Sequence, residues 1–356
     1  MVLEMAGKTD PNLFLAGAGR TVITPPVGFT IEGPDRTTGP AEGIADDLLA
    51  RAVVFESKGE RVAVISLDVW GLSESLAERI RESVGKSVNA DPDRVWLSVT
   101  GNGSSPDLWG ESDEYRNYSA YLPDQVAGAA LMAVNALEPA SMGSKGNLLP
   151  DVSTFTEGPG RPGNPALFVL AVNRADGSGI ARIVNFACPA SIVESSMSWT
   201  ADYPGYASWA LEQNGGGMTL FMQSASHDIR PFDWWDENAD RSHPERVARD
   251  VHAFGLLLAT QASNAAAETT QRRNVEIAVE TDTEAGIRTM RLGDAYFVST
   301  DKPQPNRFAR RFRRDLPHSN TFICANLSGA MFDQKATFDA RAVKRGIASL
   351  QRLGAT

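Results

Sequence analysis

Two neighbouring side chains, His227 and Asp228, can exchange protons near neutral pH, and they lie just beyond the apolar run Met218–Gln223. Asp107, Asp202 and Glu194 lie in other segments that read as loops, and any of them would make a general acid if burial raised its pKa. Ser104, Ser105 and Cys188 are the candidate nucleophiles, each requiring a base within hydrogen-bond reach. Of seven tryptophans, Trp70, Trp109, Trp199, Trp234 and Trp235 fall in segments that follow apolar runs, whereas Trp96 and Trp209 do not. Large apolar rings are costly to leave in solvated loops, so these five are expected to line an aromatic pocket, with Asp68 and Tyr203 beside them. Such a pocket suits a largely apolar small molecule, and its ring faces can stabilise a developing cation. The stretch FDWWDEN (232–238) invites comparison with aspartate-rich magnesium–diphosphate motifs, but it reads as a loop rather than a helix. GAGRT (17–21) and GNGSS (101–105) lack the lysine and spacing of a phosphate loop and read as turns.

These residues need a frame. Residues 61–67 read as a buried strand, 71–86 as an amphipathic helix with Leu76, Ile80 and Val84 on one face, and 90–100 as a turn and second strand. Strand, helix and strand in that order make a βαβ unit, so the segments 68–70 and 101–110 are expected at the carboxyl edge of a sheet, where open α/β folds place ligands. Further strands are expected at 51–56, 166–173, 180–187, 218–223, 286–298 and 321–325. Helices are expected at 119–137, 204–213, 244–267 and 338–352, with 142–165 as a loop excursion. The fold class expected is α/β: a layered domain with a mixed, partly parallel sheet core flanked by helices. A flexible N-terminus over 1–12 and a single domain over 13–356 are expected, with residues 300–356 least constrained.

Forty-four acids against 34 bases give a net charge of −10, which argues against a nucleic-acid partner. Against that background RFARRFRR (307–314) concentrates five arginines, with Phe308 and Phe312 one turn apart. It reads as an amphipathic helix or as a docking site for an anion, whether a substrate phosphate, an acidic carrier protein or a membrane surface. No basic n-region precedes an apolar run at the N-terminus, and no run of about 18 uncharged apolar residues occurs. Two cysteines without a leader read as free thiols, so the cytoplasm is the expected location and integral membrane association is not expected.

The order of motifs is familiar. AGAGRTVITPPVG (16–28), GIADDLLARAVVF (43–55), VAVISLDVWGL (62–72), VWLSVTGNGSSPD (95–107), VNFACPAS (184–191), ADYPGYASWALE (201–212) and LFMQSASHDIRP (220–231) resemble, in sequence, the neutral/alkaline ceramidase family. The similarity runs from about residue 14 to about residue 300. It implies that family's α/β catalytic domain without the immunoglobulin-like C-terminal domain. The resemblance also implies a zinc amidase, whose metal is held by two histidines, a glutamate and a tyrosine. This chain departs at each of those motifs. Ala45, Gly101, Gly103 and the Cys188-Pro189 step stand where histidines are expected, Lys302 falls near the glutamate position, and no tyrosine occurs after Tyr296.

The sequence therefore points to an enzyme on a ceramidase-like scaffold that works without a metal or other cofactor. Acid/base chemistry on a largely apolar small molecule is expected: a cyclisation, isomerisation or elimination in a specialised biosynthetic route. Asp228 and His227 are the first candidates for proton transfer. An amide hydrolase with a serine or cysteine nucleophile and a non-catalytic binding protein are the alternatives.

Overall fold

The computed structural model describes residues 13–32, 39–106, 108, 112–149, 153–155, 166–193, 197–231, 244–300, 302–324 and 338–356. Its frame is three mixed sheets that share one apolar core. The first runs through β1 (Leu15–Val22), β2 (Leu49–Ser57), β3 (Glu60–Leu67) and β4 (Val95–Val99), in the order β4-β3-β2-β1 with the short strand Glu138–Pro139 at the far edge. β2 and β3 are joined by Lys58-Gly59, both at positive φ (53° and 79°), the conformation that lets a two-residue turn follow the twist of its strands. β3 and β4 pair in parallel, Ala63 with Val95 through Leu67 with Val99. Helix α1 (Glu74–Val88) makes the crossover between them: Ser73 caps its start by accepting from the Leu76 amide, and Asn89 ends it at φ 55°.

Helix α2 (Asp113–Asn135) lies across the same face of this sheet, against β1. The glycines of GAGRT make that approach close. A Cβ at Gly17 would stand 2.1 Å from the Ala133 carbonyl oxygen, and one at Gly19 2.3 Å from that of Ala129. The expected turn is thus a strand whose glycines admit a helix backbone, a constraint that acts between distant segments.

The second sheet contains β5 (Ser141–Leu148), β6 (Ala166–Asn173), β7 (Gly179–Phe186) and β8 (Met218–Gln223), in sequence order, with β7 and β8 parallel. Helix α3 (Asp202–Gln213) connects that pair, and α4 (Pro244–Ala267) packs on α3. The third sheet is β9 (Ile277–Asp282), β10 (Ile287–Leu292), β11 (Ala295–Thr300) and β12 (Asn320–Cys324), closed by the parallel pair β11–β12. Helix α5 (Asn306–Asp315) joins those two strands, and α6 (Ala340–Arg352) packs on β10 and α5. The strand expected over 286–298 is a hairpin that turns at Gly293-Asp294. Part of the expected 142–165 excursion is β5, paired with β6 along its length. The rest of that excursion lies largely outside the described residues.

Phe55, Val64 and Trp96 from the first sheet, Phe168, Leu170 and Met222 from the second, and Met290, Phe297 and Phe322 from the third occupy one buried cluster. The first two sheets carry helices on their other faces, packed through Leu76, Ile80 and Val126 on one side and Tyr203, Leu258 and Ala262 on the other. Each sheet contributes one parallel pair with a helical connection, so three sets of loops follow parallel strand ends. Side-chain bonds and one backbone bridge draw those ends together. Ser66 donates to the Phe221 carbonyl, Asn185 exchanges bonds with Ile323 in both directions (2.8 and 3.0 Å), and Asn102 forms a bridge with Ala190. Among the described residues no helix is long and apolar enough to cross a membrane.

Candidate functional site

The floor of the site is the set of loops beyond β3, β4, β7, β8 and β11. Asp68 follows β3 and is fully buried; its Oδ2 accepts from Arg51 Nη1 at 2.6 Å and from the Leu49 amide at 3.0 Å, while Oδ1 has no hydrogen-bond partner among the described residues. Burial pushes this carboxyl upward and the Arg51 guanidinium draws it back. Asn102 donates to the Asp68 and Thr200 carbonyls (3.3 and 2.7 Å) and accepts from the Ser104 amide (2.9 Å), which pins the loop beyond β4.

Gly101 opens that loop at φ 69°. A Cβ built on it would lie 1.6 Å from Gln223 Oε1. Gln223 ends β8, is 1 % exposed, and donates through Nε2 to Ser226 Oγ at 2.8 Å. Its carboxamide therefore fills the space that a side chain at position 101 would enter.

Asp202 opens α3 at φ 52°, a left-handed conformation that non-glycine residues adopt rarely. Its carboxylate accepts from the Val193 amide (2.8 Å) and from the Tyr203 amide. Even with those bonds, burial pushes its pKa up to about 6. Asp46, on the turn before β2, accepts from Thr200 Oγ1 at 2.7 Å and the Ala201 amide at 2.6 Å; desolvation raises it too, against those bonds and Arg51.

Asp46, Asp202 and Arg51 line a 570 Å³ cavity together with Arg20, Glu212, Tyr206, Trp209 and His252. Tyr206 stacks on His252 at 4.3 Å and sits 5.2 Å from Trp209, which is 53 % exposed, and Arg20 bonds Glu212 at 2.8 Å. Sequence reasoning set Trp209 aside as an ordinary helical residue. The usable signal was the spacing of Asp202, Tyr206, Trp209 and Gln213, which puts all four on one side of α3.

The other expected site residues divide by location. Asp228 caps α5: its Oδ1 accepts from the Asn306 amide. That places a carboxylate at the positive end of a helix. His227 is half-buried, and its backbone amide reaches the Gln304 carbonyl at 3.3 Å. Trp199 and Tyr203 are fully buried: Trp199 packs with Leu48 and Leu67, while Tyr203 packs edge-on to Phe221 and Phe254 and donates to the Cys188 carbonyl at 2.7 Å. Cys188 is sealed in the same apolar cluster. Trp70 is 4 % exposed, and its amide donates to Ser105 Oγ at 2.9 Å, whereas Ser104 Oγ donates to the Val193 carbonyl at 3.2 Å. Asp107, Glu194, Trp109, Trp234 and Trp235, with the rest of FDWWDEN, lie outside the described residues. Among the described residues no three His, Cys, Asp or Glu side chains form a group that could hold a metal ion.

No protein-family model matches the sequence, and neither does any curated protein. Solved structures do match. The neutral ceramidase from Pseudomonas aeruginosa superposes with a TM-score of 0.70 at 14% identity, over 97% of this chain and 74% of that one. A ceramidase complexed with C2 gives 0.71 at 13% identity, over 97% and 76%. This chain has the neutral ceramidase fold. The mixed α/β architecture expected from the sequence is thus the architecture found. At such identities the likeness shows the fold, and the chemistry has to be argued from the residues.

Proposed function

We propose that this chain is a metal-independent acid/base enzyme on the neutral ceramidase scaffold. Its substrate would be a small, largely apolar molecule, and its reaction a cyclisation, isomerisation or elimination. The observation that carries this reading is Gly101. The resemblance puts a zinc-binding histidine there, and Gln223 fills the room its side chain would need. Cys188, at another histidine position, is buried in the apolar cluster between the second sheet and its helices. A catalytic zinc needs about three nitrogen, sulfur or oxygen ligands around an open position. The residues present do not fit that requirement.

Carboxyls are then the natural proton carriers. Asp202 combines burial, a pKa near 6, a rarely adopted backbone conformation and a place in the cavity wall. A group poised there can donate or accept a proton around neutral pH. Asp228 ranks below it because it caps α5 and is not among the residues lining that cavity. Tyr206, Trp209 and His252 supply an aromatic lining around this carboxyl.

One observation favours the binding-protein alternative: Asp46, Asp68, Asp202 and Asp228 all accept backbone amides, as purely structural carboxylates do. For a serine hydrolase the geometry is poor, since Ser104 Oγ donates to a carbonyl and Ser105 Oγ accepts an amide.

The test pairs metal analysis of the purified protein with turnover of a panel of apolar alcohols, olefins and amides, before and after chelation. Zinc well below one per chain and chelator-insensitive turnover are expected, with Asp202→Asn slower by at least about tenfold, or ~1.4 kcal/mol of barrier. One firmly bound zinc, or turnover abolished by chelation, refutes the reading. Undiminished turnover in Asp202→Asn removes that residue from the chemistry.

A further inference from the structure

The five arginines of α5 divide into two sets. Arg311 and Arg314 share Asp315, with Nε to carboxylate distances of 2.6 and 2.9 Å. Arg307, Arg310 and Arg313 recur every third residue along one flank, and among the described residues none of them meets a carboxylate. Arg307 lies over the Phe338 ring at 4.8 Å and Arg313 over the Phe168 ring at 5.5 Å.

Arg313 stands apart from the others. Its Nε and Nη2 are buried and, among the described residues, have no hydrogen-bond partner. Those two N–H groups form the side-on fork that engages both oxygens of a carboxylate or phosphate. Removing a guanidinium from water without supplying an anion is unfavourable, and arginine does not escape by losing its proton at neutral pH. Burial, with Arg310 close by, lowers its pKa only to about 10. The fork can be placed relative to the second sheet through the Phe168 ring. Phe168 pairs with Asn185, the penultimate residue of β7, so its ring is at the same end of the second sheet as the loops that form the floor.

We propose that Arg313, supported by Arg310, anchors the oxyanion head of a small ligand, a phosphate or a carboxylate. An acidic protein surface cannot follow a guanidinium below the molecular surface, whereas a single head group on a slender molecule can. The inference is independent of the acid/base reading, because an anion anchor would serve an enzyme and a binding protein alike.

Thermal melting and calorimetric titration of the full chain with inorganic phosphate, dodecyl phosphate and dodecanoate test it. At least one probe is expected to bind saturably and raise the melting temperature. Binding of inorganic phosphate identifies a free oxyanion site; binding of only the dodecyl compounds identifies an anion with an apolar tail. Arg313→Met, relieved of an unpaired buried charge, is expected to melt at or above the wild-type temperature without ligand and to show no shift with it. Arg313→Lys keeps the charge but loses the fork, so its affinity should fall at least about tenfold. Arg311→Ala should bind as the wild type does. No response of the wild type to any probe overturns the proposal, as does a full shift in Arg313→Met. Should Arg313→Met not fold, unchanged affinity in Arg313→Lys overturns it.

Discussion

Asp202→Asn tests whether the carboxyl at the start of α3 carries a raised pKa. An ordinary aspartate titrates near 3.8, and burial pushes this one up to about 6, against the pull of the Val193, Tyr203 and Ile192 backbone amides. The difference is about two pH units, and at 1.36 kcal/mol per unit it is worth ~3 kcal/mol of folding stability. Because the folded pKa lies above the unfolded one, that contribution is fully present below pH 3.8 and is lost as pH rises through 6. Integrated over the accessible range of about pH 4.5 to 7.5, Asp202 should remove about 2 kcal/mol from the wild type. Asparagine keeps the shape but turns an amide group toward a backbone N–H, an offset of ~1–3 kcal/mol that does not vary with pH. The readout is therefore the pH dependence of the difference between the two proteins, not its size at one pH. Urea unfolding followed by tryptophan fluorescence at constant ionic strength measures this directly. A difference that stays flat from pH 4.5 to 7.5 would refute the raised pKa and, with it, the case for Asp202 as a proton carrier.

Two further substitutions probe the floor. Arg51→Met leaves the Asp68 carboxylate buried and unpaired, so urea melts at pH 7 should show a loss of about 3–5 kcal/mol. The loss should shrink at pH 5, where the already raised Asp68 takes a proton more readily, and a pH-independent loss would contradict this account. Gly101→His forces a side chain into the Gln223 carboxamide at a positive-φ position and should cost about 2–4 kcal/mol. Adding Gln223→Ala should restore part of that stability in a double-mutant cycle, and strict additivity of the two changes would show that they do not compete for one space.

Much of the frame was legible in the sequence. Helix α4 and strands β6 and β8 fall where periodicity put them, and the βαβ unit over residues 60–99 has its expected parallel register. These segments bury one face or both against a single layer, and such burial leaves a regular apolar pattern. β5 and β9 escaped notice for a physical reason. SMGSKGNL carries two glycines and a lysine, one of those glycines facing the Phe168 ring, and no residue of IAVETD is fully buried. β1 was obscured in the same way, because Gly17 and Gly19 are spacers for α2 and not turn residues.

The division at the site follows the same physics. By itself the sequence determined the inventory: a layered α/β chain of ceramidase-like motif order, poor in histidine, acidic overall, with one arginine-rich helix. Periodicity and composition are local properties, and they survive without a partner segment. What each charged group does was decided only by the tertiary structure. Asp228 caps a helix that begins 78 positions later, and the Arg51–Asp68 pair is closed off from solvent by the packed sheets. Asp202 and Arg313 have perturbed pKa values because of protein around them, and burial is a property of the assembled fold. Gln223 lies in the space beside Gly101 because β8 of the second sheet ends against the loop beyond β4 of the first. That meeting of two sheets, more than any single residue type, defines the chemistry open to this site.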